Sequence, residues 1–226
     1  MKAISEILNV LDTIGPAIAV FFLLTSKKTL SKDMVFILIF CLIQLFCNTG
    51  ATIIERAALQ SDVHLLKNNY WVYKLNSTAC FLVVFYLFSK RLIFFKPVAI
   101  YTLLLLYLTA SSFLIIGGDG ISQFNSLSAA LESLIIVSMC LYFFYSKLIN
   151  TSEEISIPET SIFWCVVGIF TYYAGAFFIF ISYKYLIDTD SSTVAVLWRF
   201  HNILLFICSL YISYGVLCKN YRTILS

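Results

Sequence analysis

The 226-residue chain is 61% hydrophobic and only 12% charged, with 15 Lys and Arg residues against 12 Asp and Glu residues. Too few polar side chains are present to cover an aqueous surface, so the composition predicts an integral membrane protein and excludes a soluble enzyme. The basic residues form no continuous basic face, and the small positive charge is therefore no indication of nucleic-acid binding.

Seven apolar stretches are each long enough to cross a bilayer as a helix. They are Ile7–Ser26, Met34–Glu55, Asn69–Ser89, Phe94–Ile116, Phe124–Ser146, Ser161–Leu186 and Val194–Cys218. About 20 helical residues cross the hydrocarbon core, because a helix rises about 1.5 Å per residue. The stretches are continuously apolar and do not alternate, which favours helices over a barrel. The predicted fold is an all-α seven-transmembrane-helix bundle that forms a single domain over residues 1–226.

The first stretch is expected to remain as a membrane span and not to be removed as a signal peptide. Asp12 and Pro16 interrupt its apolar run, and no small-x-small cleavage pattern follows it. Since proline lacks the N–H that a helix interior uses, Pro16 is expected to free carbonyl oxygens beside Asp12 for a ligand or water.

The distribution of basic residues predicts the orientation of the bundle. One set of alternate links and helix ends contains Lys27, Lys28, Lys32, Lys90, Arg91, Lys96, Lys147, Lys219 and Arg222. Acidic residues, such as Glu55, Asp62 and Asp119, lie mainly on the opposite side. Because basic loops stay in the cytoplasm, the N-terminus is expected outside and the C-terminus in the cytoplasm.

Polar side chains inside the spans follow single helix faces. Three such stripes are Gln44, Asn48, Thr52 and Glu55 in span two, Asn125, Ser128 and Glu132 in span five, and Arg199, Asn202, Ser209 and Ser213 in span seven. A charge at mid-helix costs about 2.5–3.5 kcal/mol on insertion, so it faces a partner or a cavity. Nearly all these charges fall in the predicted outer half, which indicates a polar chamber open to the outside above an apolar inner half. Span four has no charge and is expected at the periphery.

The candidate ligand-binding residues lie in or beside this chamber. They are Asp12, Asn48, Glu55, Lys74, Asn76, Asn125, Glu132, Trp198, Arg199, His201 and Asn202. For Glu55 and Lys74 the alternative is that the long side chain reaches the membrane interface. For the groups around Glu132 the alternative is a hydrogen-bond network that only fixes helix packing.

Glu132 and Arg199 are expected to pair with each other. A buried carboxylate or guanidinium without a partner is costly, and mutual pairing resolves both costs. With His201 and Asn202 beside it, this pair is expected to form the floor of the chamber.

Span six carries small residues on one face. Gly168, Tyr172 and Gly175 recur at helical spacing and are followed by Ala176. Small residues let helix backbones approach closely in membranes, so this face is expected to pack against another helix.

The sequence motifs of several enzyme classes are absent from this chain. There is no His-Glu-x-x-His zinc pattern and no Gly-x-Ser-x-Gly elbow, and the only histidines are His64 and His201. The last span has no central lysine for a retinal, and the seven cysteines are expected to be free thiols. The sequence therefore predicts no catalytic residue, no metal site and no cofactor, and a protein that is not an enzyme.

Two segments resemble a known group of proteins. FWCVVGIFTYYAGAFFIF (Phe163–Phe180) and LWRFHNILLFICSLYISYGVLCK (Leu197–Lys219) are similar to small seven-helix membrane proteins of Bacteroidetes-type bacteria. Similar modules occur near, or fused to, sensor histidine kinases. The resemblance covers the last third of the chain and implies a membrane sensory module, without a ligand or catalytic residue to transfer.

The leading functional hypothesis is a sensor or receptor-like module of the bacterial inner membrane. It would bind a small or lipid-like ligand in the outer chamber and signal through a cytoplasmic or membrane partner. The expected partners are membrane lipids, this signalling partner and a second copy of the chain, and no nucleic acid. The alternatives are a small transporter or ion or proton channel subunit, and a membrane scaffold or effector subunit.

Overall fold

The computed structural model describes residues 2–26, 31–58, 70–91, 97–117, 126–149, 160–189 and 191–224. Within these residues the chain forms seven helices. They are α1 (Lys2–Thr25), α2 (Lys32–Ala58), α3 (Tyr70–Arg91), α4 (Pro97–Gly117), α5 (Ser126–Ile149), α6 (Ser161–Thr189) and α7 (Ser191–Ile224). Each predicted apolar stretch is therefore confirmed as a helix.

Six of the described helices are long and apolar enough to cross a membrane, namely all except α4. In α4 the apolar segment among the residues whose side chains the structure describes is Tyr101–Leu114. Large apolar side chains on the outside of the bundle, such as Phe46, Phe113 and Phe178, are exposed. An exposed apolar surface of this kind suits contact with lipid tails, so the structure supports an integral membrane protein with an all-helical bundle.

Six helices form a closed ring in the order α1, α2, α3, α5, α6, α7, and α7 packs back against α1. Helix α2 also contacts α6 across the ring. Helix α4 lies outside the ring, where it packs against α5. On α4, Tyr107 and Ser111 are buried, whereas Tyr101, Leu105 and Phe113 are exposed. The expected peripheral position of the fourth stretch is thus confirmed, since its nearly uniform apolar surface provides few groups that a partner helix must cover.

The contact between α6 and α7 is the most extensive in the bundle, and glycines make it close. A Cβ atom on Gly168 would lie 2.8 Å from the carbonyl oxygen of Cys208, and one on Gly215 would lie 2.6 Å from that of Ser161. Gly175 faces the flexible side chain of Leu204. The predicted packing of span six through its glycines is therefore confirmed, with α7 as the partner helix.

A similar close approach joins α1 to α7. A Cβ atom on Gly15 would lie 2.9 Å from the Cα atom of Phe206 and 3.1 Å from the hydroxyl of Ser209. Gly15 and Ala19 are small residues at i, i+4 spacing on one face of α1, and Ala19 is fully buried, so this sequence signal for a close helix contact was missed. Both neighbours of α7 in the ring thus touch its backbone at glycines.

We expect Gly168→Ala to destabilise the protein, because the added methyl group would collide with a backbone carbonyl that cannot move aside. The expected loss of unfolding free energy is about 1–3 kcal/mol. Gly50→Ala is the matched control, since a Cβ atom there meets nothing within 4 Å. That change should leave stability unchanged or raise it by up to about 1 kcal/mol, the gain in helix propensity. Thermal unfolding in detergent measures both, and equal behaviour of the two variants would contradict the close packing.

Candidate functional site

The site begins with a backbone group on α1 that has lost its helical partner. In a regular helix the carbonyl oxygen of Asp12 would accept a hydrogen bond from the N–H four residues later, but that residue is Pro16, which has none. The side-chain amide of Asn48 on α2 donates to this oxygen instead, at 3.0 Å. Asn48 thus replaces the donor that Pro16 removes, whereas contact of a freed carbonyl with a ligand or water stays a prediction.

A polar network continues from Asn48 into the ring. The Nδ2 atom of Asn48 also lies 3.5 Å from the Oε1 atom of Gln44, and the Nδ2 atom of Asn76 on α3 donates to the same oxygen at 3.0 Å. The thiol of Cys80 donates to Oδ1 of Asn76 at 3.4 Å. These four side chains connect α1, α2 and α3 and satisfy one another. Asn48 therefore supports the site and holds its wall in place.

At the end of the bundle where α1 begins, a pocket of about 560 Å³ opens between α1, α2, α3 and α7. We call it the end pocket. Its charged and aromatic lining residues are Glu6, Asp12, Glu55, Arg56, Tyr73, Trp198 and Arg199, and Asn9, Val10, Thr52, Ala195 and Asn202 complete it. Five candidate residues from the sequence, Asp12, Glu55, Trp198, Arg199 and Asn202, thus meet in one place, as the predicted polar chamber requires.

Two groups of α7 in this pocket lack hydrogen-bond partners. The Nε atom of Arg199 and the Oδ1 atom of Asn202 are buried and make no hydrogen bond in the described structure. The orientation of the Asn202 amide is determined by α1, because its Nδ2 atom donates to the carbonyl oxygen of Leu8 at 3.2 Å. Its Oδ1 atom must therefore point away from that carbonyl, and it stays available as an acceptor. Among the described residues, the pocket thus has one donor and one acceptor without a protein partner.

Deeper in the ring lies a second, much smaller space of about 30 Å³, which we call the inner cavity. Its polar lining residues are Gln44, Tyr73, Asn76, Ser77, Glu132, Ser133, Tyr172, Tyr173 and His201. About one water molecule fits a volume of this size. The cavity is therefore suited to water or a small ion and is too small for an organic molecule.

Glu132 is 3% exposed and has hydroxyl groups as its partners. Ser77 on α3 donates to one carboxyl oxygen, and Tyr107 on α4 donates to the other. A second bond joins α5 to α4, where the hydroxyl of Ser128 lies 3.1 Å from that of Ser111. Glu132 thus connects the peripheral helix α4 to the ring. Tyr107 and Ser77 could not be identified from the sequence, because a lone hydroxyl in an apolar stretch is common.

The predicted ion pair between Glu132 and Arg199 is wrong. Among the described residues, Glu132 lines the inner cavity and bonds to Ser77 and Tyr107, whereas Arg199 lines the end pocket. Their helices, α5 and α7, are separated in the ring by α6. The predicted floor of four residues is therefore divided, with Glu132 and His201 at the inner cavity and Arg199 and Asn202 at the end pocket.

His201 is held by aromatic side chains. Its Nε2 atom lies 2.9 Å from the hydroxyl of Tyr172, and its ring stacks on Trp198 at 5.2 Å with an angle of 19° between the planes. Its Nδ1 atom is buried without a hydrogen-bond partner in the described structure. The ring therefore supports Trp198 from the side of the inner cavity and does not reach the end pocket.

Tyr73 and Trp198 separate the two spaces, and both residues line both of them. Their rings meet edge to face, with centroids 5.4 Å apart. An edge-to-face pair is a favourable aromatic arrangement, so it holds the indole in place above the inner cavity. Tyr73 was not among the candidates from the sequence, since one tyrosine near a helix end is typical of the aromatic belt of any membrane helix.

Two candidates from the sequence remain, Lys74 and Asn125. Lys74 is half-buried on α3 and is not part of the described lining of either one. Asn125 lies outside the described residues. Among the residues described, no group of three or more His, Cys, Asp or Glu side chains is placed to hold a metal ion.

Comparison of the chain with protein-family models, with curated proteins and with solved structures finds no match. The function must therefore be argued from the geometry of the site itself.

We expect Glu132 to be energetically coupled to Tyr107 and independent of Arg199. In a double-mutant cycle, Glu132→Gln with Tyr107→Phe should show a coupling of about 0.5–2 kcal/mol, because each change removes part of one hydrogen bond. Glu132→Gln with Arg199→Gln should be additive within about 0.5 kcal/mol. Unfolding in detergent provides the free energies, and the reverse pattern of coupling would contradict the separation of the two spaces.

Proposed function

We propose that the protein is a receptor-like membrane sensor that binds a small or lipid-like ligand in the end pocket. The observation that carries this proposal is the pair of buried, unpartnered groups on α7, Arg199 Nε and Asn202 Oδ1, inside a pocket of about 560 Å³. Small-molecule sites commonly have volumes of about 300–1,000 Å³ and a few polar groups that determine the orientation of the ligand. Buried polar groups without partners cost free energy, and a ligand that bonds to them recovers it.

The other half of the bundle supports a sensor over a conducting path. Among the described residues, its buried polar side chains are Ser209 and Ser213, and their hydroxyls donate to carbonyls of their own helix at 2.9 and 2.8 Å. Hydroxyls bonded in this way leave little for a passing ion to contact. Apolar side chains such as Leu23, Phe40 and Phe88 fill the space around them.

Helix α7 is the element that would carry the signal. It supplies Trp198, Arg199 and Asn202 to the pocket and runs without interruption through 34 residues, a length of about 50 Å. A bilayer core is only about 30 Å thick, so a helix of this length reaches well beyond the opposite face. A ligand that shifts α7 at the pocket would thus shift its far end, where a signalling partner or a second copy of the chain would bind.

The proposed orientation places all seven helices across the bacterial inner membrane with the end pocket outside. It follows from the basic residues of the alternate links. We therefore expect a cysteine at Asn9, in the pocket lining, to react with a membrane-impermeant maleimide added to intact cells. A cysteine at Ser31, which is exposed near the start of α2, should react only after permeabilisation. Labelling of Ser31→Cys from outside would reverse the orientation.

The sensor hypothesis predicts both binding and transmission. In a Cys47→Ala variant, Cys218 on α7 is the remaining half-buried cysteine and the other five are buried, so a fluorophore can be attached there. A defined set of small metabolites and lipids is then screened by thermal unfolding in nanodiscs. Compounds that stabilise the parent and not Asn202→Leu bind in the end pocket, and they should also change the emission at Cys218. Ser138→Ala, on the exposed face of α5, is the control that should respond like the parent.

Two results would contradict this function. If no compound stabilises the parent, the end pocket is not a ligand site of the tested kinds. If a compound binds without any change at Cys218, the pocket does not signal through α7.

The inner cavity with Glu132 favours a second candidate function, an ion or proton path. Flux in proteoliposomes that depends on Glu132 would favour that function over the sensor.

A further inference from the structure

We infer that the end pocket recognises a zwitterion, a molecule with an ammonium group and an anionic oxygen group a short distance apart. This inference rests on the proposed function and names the class of its ligand. It follows from the kinds of groups that line the pocket and from which of them remain unpaired.

The anionic part of the ligand is indicated by Arg199. A guanidinium stays charged in proteins, and its Nε atom here is a buried donor without an acceptor. An anionic oxygen is the group that a guanidinium binds most strongly, because the hydrogen bond is charge-assisted. Arg199 is therefore matched to a carboxylate or a phosphate.

The cationic part of the ligand is indicated by two acceptors, one on α7 and one on α1. Asn202 is 3% exposed and lines the same pocket one helical turn after Arg199, and its Oδ1 atom has no hydrogen-bond partner among the described residues. Asp12 on α1 is 8% exposed, and among the described residues the hydroxyl of Thr13 donates to its carboxylate at 3.4 Å, which is a long contact. A carboxylate and an amide oxygen need a donor, and an ammonium group supplies three.

The two signs of charge are kept apart within one pocket. Among the described residues, Asp12 and Arg199 both line the end pocket but form no ion pair with each other. Glu6, Glu55 and Arg56 also line the pocket, so acidic and basic side chains both face its space. With the two groups separate, a molecule with both charges satisfies both sides, whereas a simple amine or acid leaves one side unpaired at a cost.

The aromatic rings at the inner end of the pocket fit the same ligand. Tyr73 and Trp198 line it beside Asp12 and Asn202, and ring faces attract ammonium groups within about 6 Å. The shared chemistry of ammonium and anionic oxygen has two sources at this position in a membrane. One is a free amino acid or similar small molecule, and the other is the headgroup of phosphatidylethanolamine.

The test uses the full chain in nanodiscs of phosphatidylglycerol, which has no ammonium group. Thermal unfolding is followed with γ-aminobutyrate, β-alanine and glycine, with acetate and butyrate as matched acids, and with propylamine and butylamine as matched amines. At saturation the best zwitterion should raise the unfolding temperature by about 2–6 °C, and the matched acids and amines should raise it by less than half as much. A second arm replaces part of the lipid with phosphatidylethanolamine and omits the soluble compounds.

The variants assign the effect to the pocket. Arg199→Gln should weaken the response to the zwitterion at least about tenfold in apparent affinity, because it removes the charge-assisted bond. Asn202→Leu should do the same, and if it fails to fold because its bond to Leu8 is lost, Asp12→Asn provides the second measurement. Ser138→Ala should respond like the parent.

Each outcome decides the inference. A pocket-dependent response to a soluble zwitterion supports a free small molecule, and a response only to phosphatidylethanolamine supports a lipid headgroup. Equal stabilisation by acids or amines alone, or unchanged responses in Arg199→Gln and Asp12→Asn, would overturn the zwitterion. A response to none of these compounds would overturn it as well. In either case, the sensor function would still be supported if another compound from the screen described above bound in the end pocket.

Discussion

The hydrogen bond from the Asn48 amide to the carbonyl oxygen of Asp12 determines the arrangement of the polar end of this bundle. Inside a bilayer no water is available to replace the donor that Pro16 removes, so another side chain must supply it. Asn48 does so at 3.0 Å and at the same time contacts Gln44, which accepts from Asn76 on α3. The N–H donor that Pro16 lacks is thus replaced by side-chain amides, and these amides join α1, α2 and α3 where the end pocket meets the core.

Helix α7, the other neighbour of α1 in the ring, also contacts the α1 backbone through an asparagine side chain. Asn202 on α7 donates to the carbonyl oxygen of Leu8, one turn before the oxygen that Asn48 occupies. Helix α1 is therefore bound on both sides by asparagine side chains that contact its backbone, and the end pocket lies between them. The Nδ2 atom of Asn48 contacts both the carbonyl oxygen of Asp12 and the Oε1 atom of Gln44. The Nδ2 atom of Asn202 bonds to Leu8, and its Oδ1 atom has no hydrogen-bond partner among the described residues.

Buried polar groups have different kinds of hydrogen-bond partners in the two halves of the bundle. In the apolar half, Ser209 and Ser213 bond to their own helix, and glycines such as Gly168 let α6 and α7 approach closely. In the polar half, side chains bond between helices and leave two spaces, separated by Tyr73 and Trp198. In the proposed sensor, ligand binding would act on the half with unpaired groups, and the closely packed half would carry the shift along α7.

The sequence by itself determined the seven helices, the polar end, the peripheral position of α4 and the small face of α6, because each depends on composition or on the period of one helix. Only the tertiary structure decided which faces meet. The stripes of Glu132 and Arg199 were read correctly as polar, yet the two residues do not pair, since α6 lies between α5 and α7. Helical periodicity determines the direction of a side chain from its own axis, whereas its partner depends on the order of helices in the ring, which is decided by packing between distant segments.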